Sequence, residues 1–254
     1  MENYSMAFII PVYKHGSTLE NVVVSLKEYG CPVIVVDDGN DEENRRFIEK
    51  TAATHSEVIL VTRNKNGGKG RAMNDGVRKA YEMGFTHVFQ IDADGQHESR
   101  RCGEFIQLSK DNPSALICGY PLYDDTVPYK RKKGREFSNG WARVVALNGN
   151  IKDVLCGFRI YPVKPFIKLL KHFAWLNGRM GYDVDILVHL LWKNVPLVNE
   201  GVHVSYPVDG VSNFRMVRDN IHISLTFARL CIGMILRSPV LIFRAVKRNI
   251  KNGK

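Results

Sequence analysis

Short apolar runs alternate with amphipathic segments through the first half of the chain. Met6 to Val12 reads as a strand, and Pro32 to Val36 is an unbroken, mostly β-branched run suited to a strand buried on both faces. Between them, Ser17-Thr18-Leu19-Glu20 has the form of a capping box, which predicts an apolar-periodic helix running to Gly30. A polar helix is expected from Glu42 to Thr54, a strand from Val58 to Thr62, and a helix from Arg71 to Met83 stopped by Gly84. His87 to Ile91, Arg100 to Ser109 and Ala115 to Gly119 continue as strand, helix and strand. This strict alternation predicts an α/β fold with a mainly parallel sheet covered by helices. In such sheets ligands bind beyond the carboxyl ends of the strands. Asp37 and Asp38, Asn64 to Gly70, and Asp92 to Gln96 all fall there.

The second half is less regular. Tyr123 to Lys133 reads as a polar loop, Arg135 to Leu147 as a helix, and Val154 to Tyr161 as a strand. Helices are expected near Pro165 to His172 and Asp183 to Lys193, with a strand from Val198 to Tyr206. Ile221 to Phe243 is apolar but carries Arg229 and Arg237, so it lacks the ~20 uninterrupted apolar residues of a spanning helix. Amphipathic helices with basic residues on the polar side, broken near Ser238-Pro239, are expected to lie in a membrane interface. The boundaries that follow are a catalytic domain over 1–212 and a basic helical extension over 213–254.

Charge sharpens the picture. The 254 residues carry a formal net charge of +10. One basic cluster is Lys130-Arg131-Lys132-Lys133-Gly134-Arg135, and a second lies in the C-terminal region, with nine Lys or Arg from Arg215 onward against the single acid Asp219. Neither accompanies a ribonucleoprotein motif, zinc-finger spacing or heptad, so phosphate and anionic lipid are favoured over nucleic acid. The five cysteines are scattered and form no C-x-x-C pair. That pattern points to a reducing compartment. With no signal peptide ahead of the first strand, the expectation is a cytoplasmic protein, peripheral on the inner face of the cell membrane.

Candidate chemistry gathers at strand ends. Asp92 and Asp94 follow the fourth strand two residues apart, a spacing that lets both carboxylates turn toward one ion. Hard divalent cations take such oxygen ligands and leave positions for phosphate, and Gln96 is placed to add a neutral oxygen. Asp37-Asp38-Gly39 ends the second strand, where carboxylates can accept from a base N–H or ribose hydroxyls. Pro11-Val12-Tyr13 ends the first strand and is placed to pack on the same base. Asn66-Gly67-Gly68-Lys69-Gly70 opens a helix whose N-terminus favours anions. It is neither a P-loop nor a Rossmann fingerprint, because Lys69 is followed by Gly70 and the segment follows the third strand.

Taken in order, Ile10-Pro11-Val12-Tyr13, Val35-Val36-Asp37-Asp38-Gly39, Gly68-Lys69-Gly70-Arg71-Ala72 and Asp92-Ala93-Asp94-Gly95-Gln96-His97 resemble the motifs of family 2 glycosyltransferases. They are most similar to the dolichyl-phosphate and polyprenyl-phosphate mannose synthase branch. The resemblance spans about residues 6–210 and implies a GT-A fold. It implies that Pro11, Tyr13, Asp37, Asp38, Lys69, Gly70 and Asp92 bind the nucleotide-sugar, and that Asp92, Asp94 and Gln96 hold Mg2+ or Mn2+. Asp153-Val154-Leu155-Cys156-Gly157-Phe158-Arg159 is similar to that branch's D-x-x-S-G-F segment, with Cys in place of Ser. There Gly157 is expected to approach the donor sugar and Arg159 to hold a phosphate. Gly181-Tyr182-Asp183-Val184-Asp185 resembles the segment with the family's acidic pair, which with Asp153 supplies the catalytic candidates. Asp183 and Asp185 fall on different helix faces, so only one is expected in the site. Lys130, Arg131 and Arg135 are expected to draw in the acceptor.

The expected activity is inverting transfer of a hexose from a UDP- or GDP-sugar to a lipid-linked acceptor, with a polyprenyl phosphate favoured. A hydroxyl-bearing lipid or pigment acceptor is the alternative. A nucleotidyltransferase would carry a glycine-rich signature after the first strand, which Tyr13-Lys14-His15-Gly16-Ser17 does not match. A non-catalytic basic binding module is the third possibility.

Overall fold

Along the strand Met6–Val12 (β1), Ala7 and Ile9 enter one core layer while Phe8 and Ile10 enter the other, as the two-residue strand period requires. The computed structural model describes residues 3–95, 99–122, 129–172, 176–203 and 216–252, with only the backbone for 129–131, 216–220 and 248–252. Gln96 and residues 123–128 lie outside the described residues.

After β1 come α1 (Gly16–Leu26), β2 (Val33–Asp37), α2 (Glu42–Thr54), β3 (Val58–Thr62), α3 (Lys69–Glu82), β4 (His87–Gln90), α4 (Cys102–Asp111) and β5 (Leu116–Leu122). Then follow α5 (Tyr129–Ala146), β6 (Arg159–Pro162), α6 (Val163–His172), α7 (Tyr182–Trp192), β7 (Leu197–His203) and α8 (Met216–Asn252). The seven strands form one sheet in the order β3-β2-β1-β4-β6-β5-β7. Only β6 runs antiparallel to its neighbours. Helices α1, α2 and α4 cover one face, and α3, α5, α6, α7 and α8 the other. Pro11 is tolerated in the central strand because it lies past the last β1–β4 rung, Ile9 with Gln90, where no ladder bond is lost.

Several boundaries differ from expectation, each for a local reason. The capping box does not cap: α1 begins at Gly16, and Thr18 Oγ1 instead donates to Ala93 O at 2.6 Å, tying the helix to the loop after β4. Helix α3 begins at Lys69, so Lys69 and Gly70 belong to its first turn. Helix α5 begins at Tyr129, which puts the basic cluster on a helix rather than in a loop. Residues 154–158 are a loop, and the strand starts only at Arg159.

The C-terminal region is one helix, not two. Pro239 removes one backbone donor, but the Ser238 hydroxyl donates to Ile235 O at 2.8 Å, the carbonyl that Pro239 leaves without its amide, and α8 continues. Arg229, Arg237 and Arg244 on it also face the other way from expectation. Arg229 bonds Asp185, Arg237 lies 4.9 Å from the centre of the Trp192 ring, and Arg244 Nη1 donates to Trp192 O at 2.7 Å. Ile232, Ile235, Leu236 and Phe243 are exposed. By length and composition alone, Ile221–Lys247 of this helix is apolar enough to cross a membrane, which the charge-interrupted sequence did not suggest.

Candidate active site

The carboxyl ends of β1, β2 and β4 meet at one edge of the sheet. Asn40 stitches the first two together. Its side-chain amide donates to Val12 O at 2.9 Å and to Asp37 Oδ1 at 2.7 Å, and its oxygen accepts the Lys14 amide at 2.7 Å. Asp37 is buried, with its other oxygen 3.5 Å from Arg45 Nε. Asp38 is buried as well and accepts from the amides of Gly67 and Gly68 at 2.9 and 2.8 Å, from Asn66 Nδ2 at 2.9 Å, and faces Arg63 Nε at 3.0 Å. Asp38 therefore holds the loop that leads into α3, and its carboxylate is fully occupied by the protein. Pro11 and Tyr13 stay half-buried at the end of β1.

That loop aims Lys69 into the edge. Its Nζ lies 2.8 Å from Asp92 Oδ1 and 3.2 Å from Asp183 Oδ2, joining a residue after β4 to one in the first turn of α7. Burial works against the lysine's charge, but Asp183 and Asp92 more than offset it and hold its pKa above the ordinary lysine value. Gln90, the last residue of β4, donates to Asp183 Oδ1 at 3.2 Å and accepts from the Tyr161 hydroxyl at 3.2 Å. Gly157 closes the cluster from the side: a Cβ there would lie 2.6 Å from Asp92 Oδ2 and 2.8 Å from Lys69 Nζ. Its lack of a side chain makes room for the Lys69–Asp92 pair.

Asp92 and Asp94 both line a cavity of about 320 Å³ beside α1. Among the described residues, no three Asp, Glu, His or Cys side chains converge into a closed metal site. Two carboxylates in an open cavity fit a hard divalent cation that completes its oxygen shell from a diphosphate and water.

Other expected site residues lie elsewhere. Asp185 is fully buried on the far side of α7, where it accepts from the Asn177 amide at 2.7 Å and pairs with Arg229. Asp153 is buried, gripped by Arg135 through Nε at 2.8 Å and Nη2 at 3.0 Å, and accepts the amides of Leu155 and Cys156 at 2.9 and 2.6 Å. Burial alone would raise the Asp153 carboxyl; Arg135 and the two amides overcome it and hold it below the usual carboxylate value. Asp153 shapes the loop that delivers Gly157, and Arg135 is engaged with Asp153 instead of facing an acceptor. Arg159 is 0 % exposed and donates to Asp183 O at 2.7 Å, which leaves it no path to a ligand phosphate. Gly70 is not an anion cradle: its amide donates to Gly178 O at 3.0 Å, and a Cβ would strike Tyr182 at 2.5 Å. Of the basic cluster, the side chains of Lys130 and Arg131 lie outside the described residues.

Sequence reasoning missed Gln90, Asn40 and Thr18. Gln90 had a signal, a polar residue inside an apolar strand that must find partners when buried.

The family model "Glycosyl transferase family 2" matches residues 7–170, a span that runs from Ala7 of β1 through β6 and includes every member of this cluster except Asp183. The chain belongs to glycosyl transferase family 2. It is 26% identical over 216 residues to an uncharacterised protein of Methanocaldococcus jannaschii, covering 82% of this chain and 91% of that one. A UDP-N-acetylglucosamine–dolichyl-phosphate N-acetylglucosaminyltransferase of Methanococcus voltae is 27% identical over 144 residues, 52% of this chain and 54% of the enzyme. An undecaprenyl-phosphate mannosyltransferase of Micrococcus luteus is 25% identical over 189 residues, 70% of this chain and 74% of that one. The chain thus spans about half the length of the M. voltae enzyme. Among solved structures, glucosyl-3-phosphoglycerate synthase from Mycobacterium tuberculosis superposes with a TM-score of 0.64 at 17% identity, over 90% of this chain and 80% of that one. The sheet is that of the GT-A fold, as the motifs implied. One complex of that synthase contains Mn2+ and UDP-glucose.

Proposed function

We propose that this family 2 glycosyltransferase moves a hexose from a UDP- or GDP-sugar onto a polyprenyl phosphate, with inversion, at the surface of a membrane. The single observation that carries the reading is the Lys69–Asp92–Asp183 cluster at the carboxyl edge of the sheet, with Gly157 leaving room beside it. The nucleotide would lie along the ends of β1 and β2, against Pro11, Tyr13 and the Asp37–Asp38 turn. Asp92 and Asp94, with Gln96, would hold Mg2+ or Mn2+, which there neutralises the departing diphosphate. Lys69 keeps a positive charge beside the same oxygens. A phosphate acceptor is already ionised and needs little base help. Names of relatives that act on dolichyl and undecaprenyl phosphates support the acceptor. The exposed apolar side of α8 supports a membrane surface, with residues 1–212 as the catalytic unit and 213–254 as its attachment.

A second reading keeps the donor side and changes the acceptor. Asp183 reaches the cluster with its carboxylate, so a hydroxyl on a lipid or pigment could lose its proton to it. Transfer assays with UDP- and GDP-sugars in Mn2+, offered undecaprenyl phosphate or undecaprenol, separate the two. Product on the phosphate alone supports the first reading, and product on the alcohol alone overturns it.

A further inference from the structure

Helix α8 reaches the site through a chain of contacts that leaves no gap. Its Arg229 pairs with Asp185 in the first turn of α7, and Asp185 also accepts the Asn177 amide at 2.7 Å. The Asn177 side chain donates to Thr226 Oγ1 of α8 at 2.8 Å. One residue on, Gly178 O accepts the amide of Gly70 at 3.0 Å. Arg179 Nη1 donates to Asn66 Oδ1 at 3.3 Å, and the Tyr182 hydroxyl to Asn74 Oδ1 at 3.2 Å. Segment 177–181 is therefore clamped between α8 and the first turn of α3, the turn that carries Lys69. The fit is close on both sides: a Cβ on Gly181 would lie 2.6 Å from Thr226 Oγ1, and one on Gly70 2.6 Å from Asn177 O.

A buried ion pair is weak evidence for stability, since apolar residues of similar volume often serve as well; fixing a register is its better-attested use. Asp185 is fully buried, two residues from Asp183, and its carboxylate meets Arg229, the Asn177 amide and His189 Nδ1, the last at 3.2 Å. We propose that Asp185 is a positioning residue: with Arg229 and Asn177 it forms a clasp by which α8 holds segment 177–181 against Gly70, and so keeps Lys69 between Asp92 and Asp183. The proposal rests on the reading of that cluster as the reacting centre.

Hydrogen exchange and transfer kinetics on the full chain test it. Arg229→Met, Asp185→Asn and Thr226→Val should speed amide exchange by about tenfold or more in peptides covering 68–72 and 177–182, with β1 and β2 unchanged. With UDP-glucose or GDP-mannose and undecaprenyl phosphate, kcat should fall roughly 10- to 100-fold, the loss expected when a reacting group moves by about an ångström. UDP and GDP affinities should fall less than kcat, because the base and ribose contacts proposed at the ends of β1 and β2 stay in place. Arg229→Lys, which keeps a donor for Asp185, should recover most of kcat. If Arg229→Met fails to fold, Thr226→Val, which removes only a neutral link, decides. Unchanged exchange at 68–72 in a folded variant, or unchanged kcat beside a lowered melting temperature, overturns the proposal. If the wild type transfers to neither acceptor, the proposed function fails, and the exchange at 68–72 still decides the clasp.

Discussion

Lys69 Nζ lies 2.8 Å from Asp92 Oδ1, so the carboxylate that opens the Asp-Ala-Asp motif is ion-paired inside the protein before any donor arrives. The same lysine reaches Asp183 at 3.2 Å. One cation thus keeps two acids from repelling each other across the junction of β4 and α7. Replacing it with Met removes the cation that the two carboxylates share. Lys69→Met should lower kcat by about 100-fold or more, the scale of losing one charge-stabilising group, and should weaken metal-dependent UDP binding. Circular dichroism checks that the variant is folded; near-normal kcat in a folded Lys69→Met would dismiss the cluster as the centre.

Gly157 makes a more selective test. Its φ is unremarkable, so alanine carries no backbone penalty, yet the added methyl would sit 2.6 Å from Asp92 Oδ2 and 2.8 Å from Lys69 Nζ. Gly157→Ala should move that pair and reduce kcat by about tenfold or more, with a melting temperature near that of the wild type. Steady-state kinetics and thermal unfolding on one preparation check it, and a large fall in melting temperature with kcat intact would reverse the assignment.

These two residues also show what was legible beforehand. The strands β1 to β5 could be read because a buried parallel strand is an apolar run, and the motifs at their ends could be read because they are contiguous. Asp92 and Asp94 were visible for that reason. That Asp92 meets Gly157, or that Asp185 meets Arg229, was not, because each pair is brought together only by tertiary packing. Local patterns also misled where a side chain found a distant partner. Thr18 looked like part of a cap and bonds Ala93 O, and Asp153 looked catalytic and anchors a loop through Arg135. The run 154–161 was apolar enough for a strand, yet the amides of Leu155 and Cys156 turn to Asp153 and leave only Arg159–Pro162 in the sheet.

Asp153 gives the pH dependence. Its folded pKa is below the ordinary carboxylate value, so it contributes stability that is present above its unfolded pKa and is lost as pH falls through the folded value. Asp153→Asn removes the carboxylate charge that Arg135 grips and should destabilise the protein by about 3 kcal/mol near neutral pH, as removal of one member of a buried pair does. The difference from wild type should shrink as both are titrated below about pH 4. Urea unfolding across that range measures it, and a penalty that stays constant with pH would mean the carboxylate charge contributes nothing.

Removing the proposed metal ligands should leave the fold in place. Asp92→Asn and Asp94→Asn keep the size of each side chain and lose its charge, and each should reduce transfer by about 100-fold or more. Asp92→Asn should also release Lys69 from one partner, so its melting temperature is expected to fall further than that of Asp94→Asn. Excess EDTA on the wild type should match the loss, with Mn2+ or Mg2+ restoring it. Full activity in EDTA would reject metal dependence outright.

Helix α8 packs Phe227, Leu230 and Leu241 into the protein together with Arg229, Arg237 and Arg244, and turns a second apolar side to the outside, unlike a surface helix in water. Arg229, Arg237 and Arg244 all contact α7, while Leu236 and Phe243 are 76 % and 71 % exposed. On α5, Phe137 and Trp141 are exposed as well. A face of this kind is stable when apolar atoms cover it, and a bilayer with anionic headgroups also suits the basic residues near the end of the chain. Leu236→Glu with Phe243→Glu removes two apolar contacts that the protein itself does not use. Sedimentation with phosphatidylcholine vesicles containing phosphatidylglycerol should then drop by about tenfold or more in partition, while the melting temperature and UDP binding stay unchanged. Vesicle binding equal to wild type would mean that this face is covered by something other than lipid.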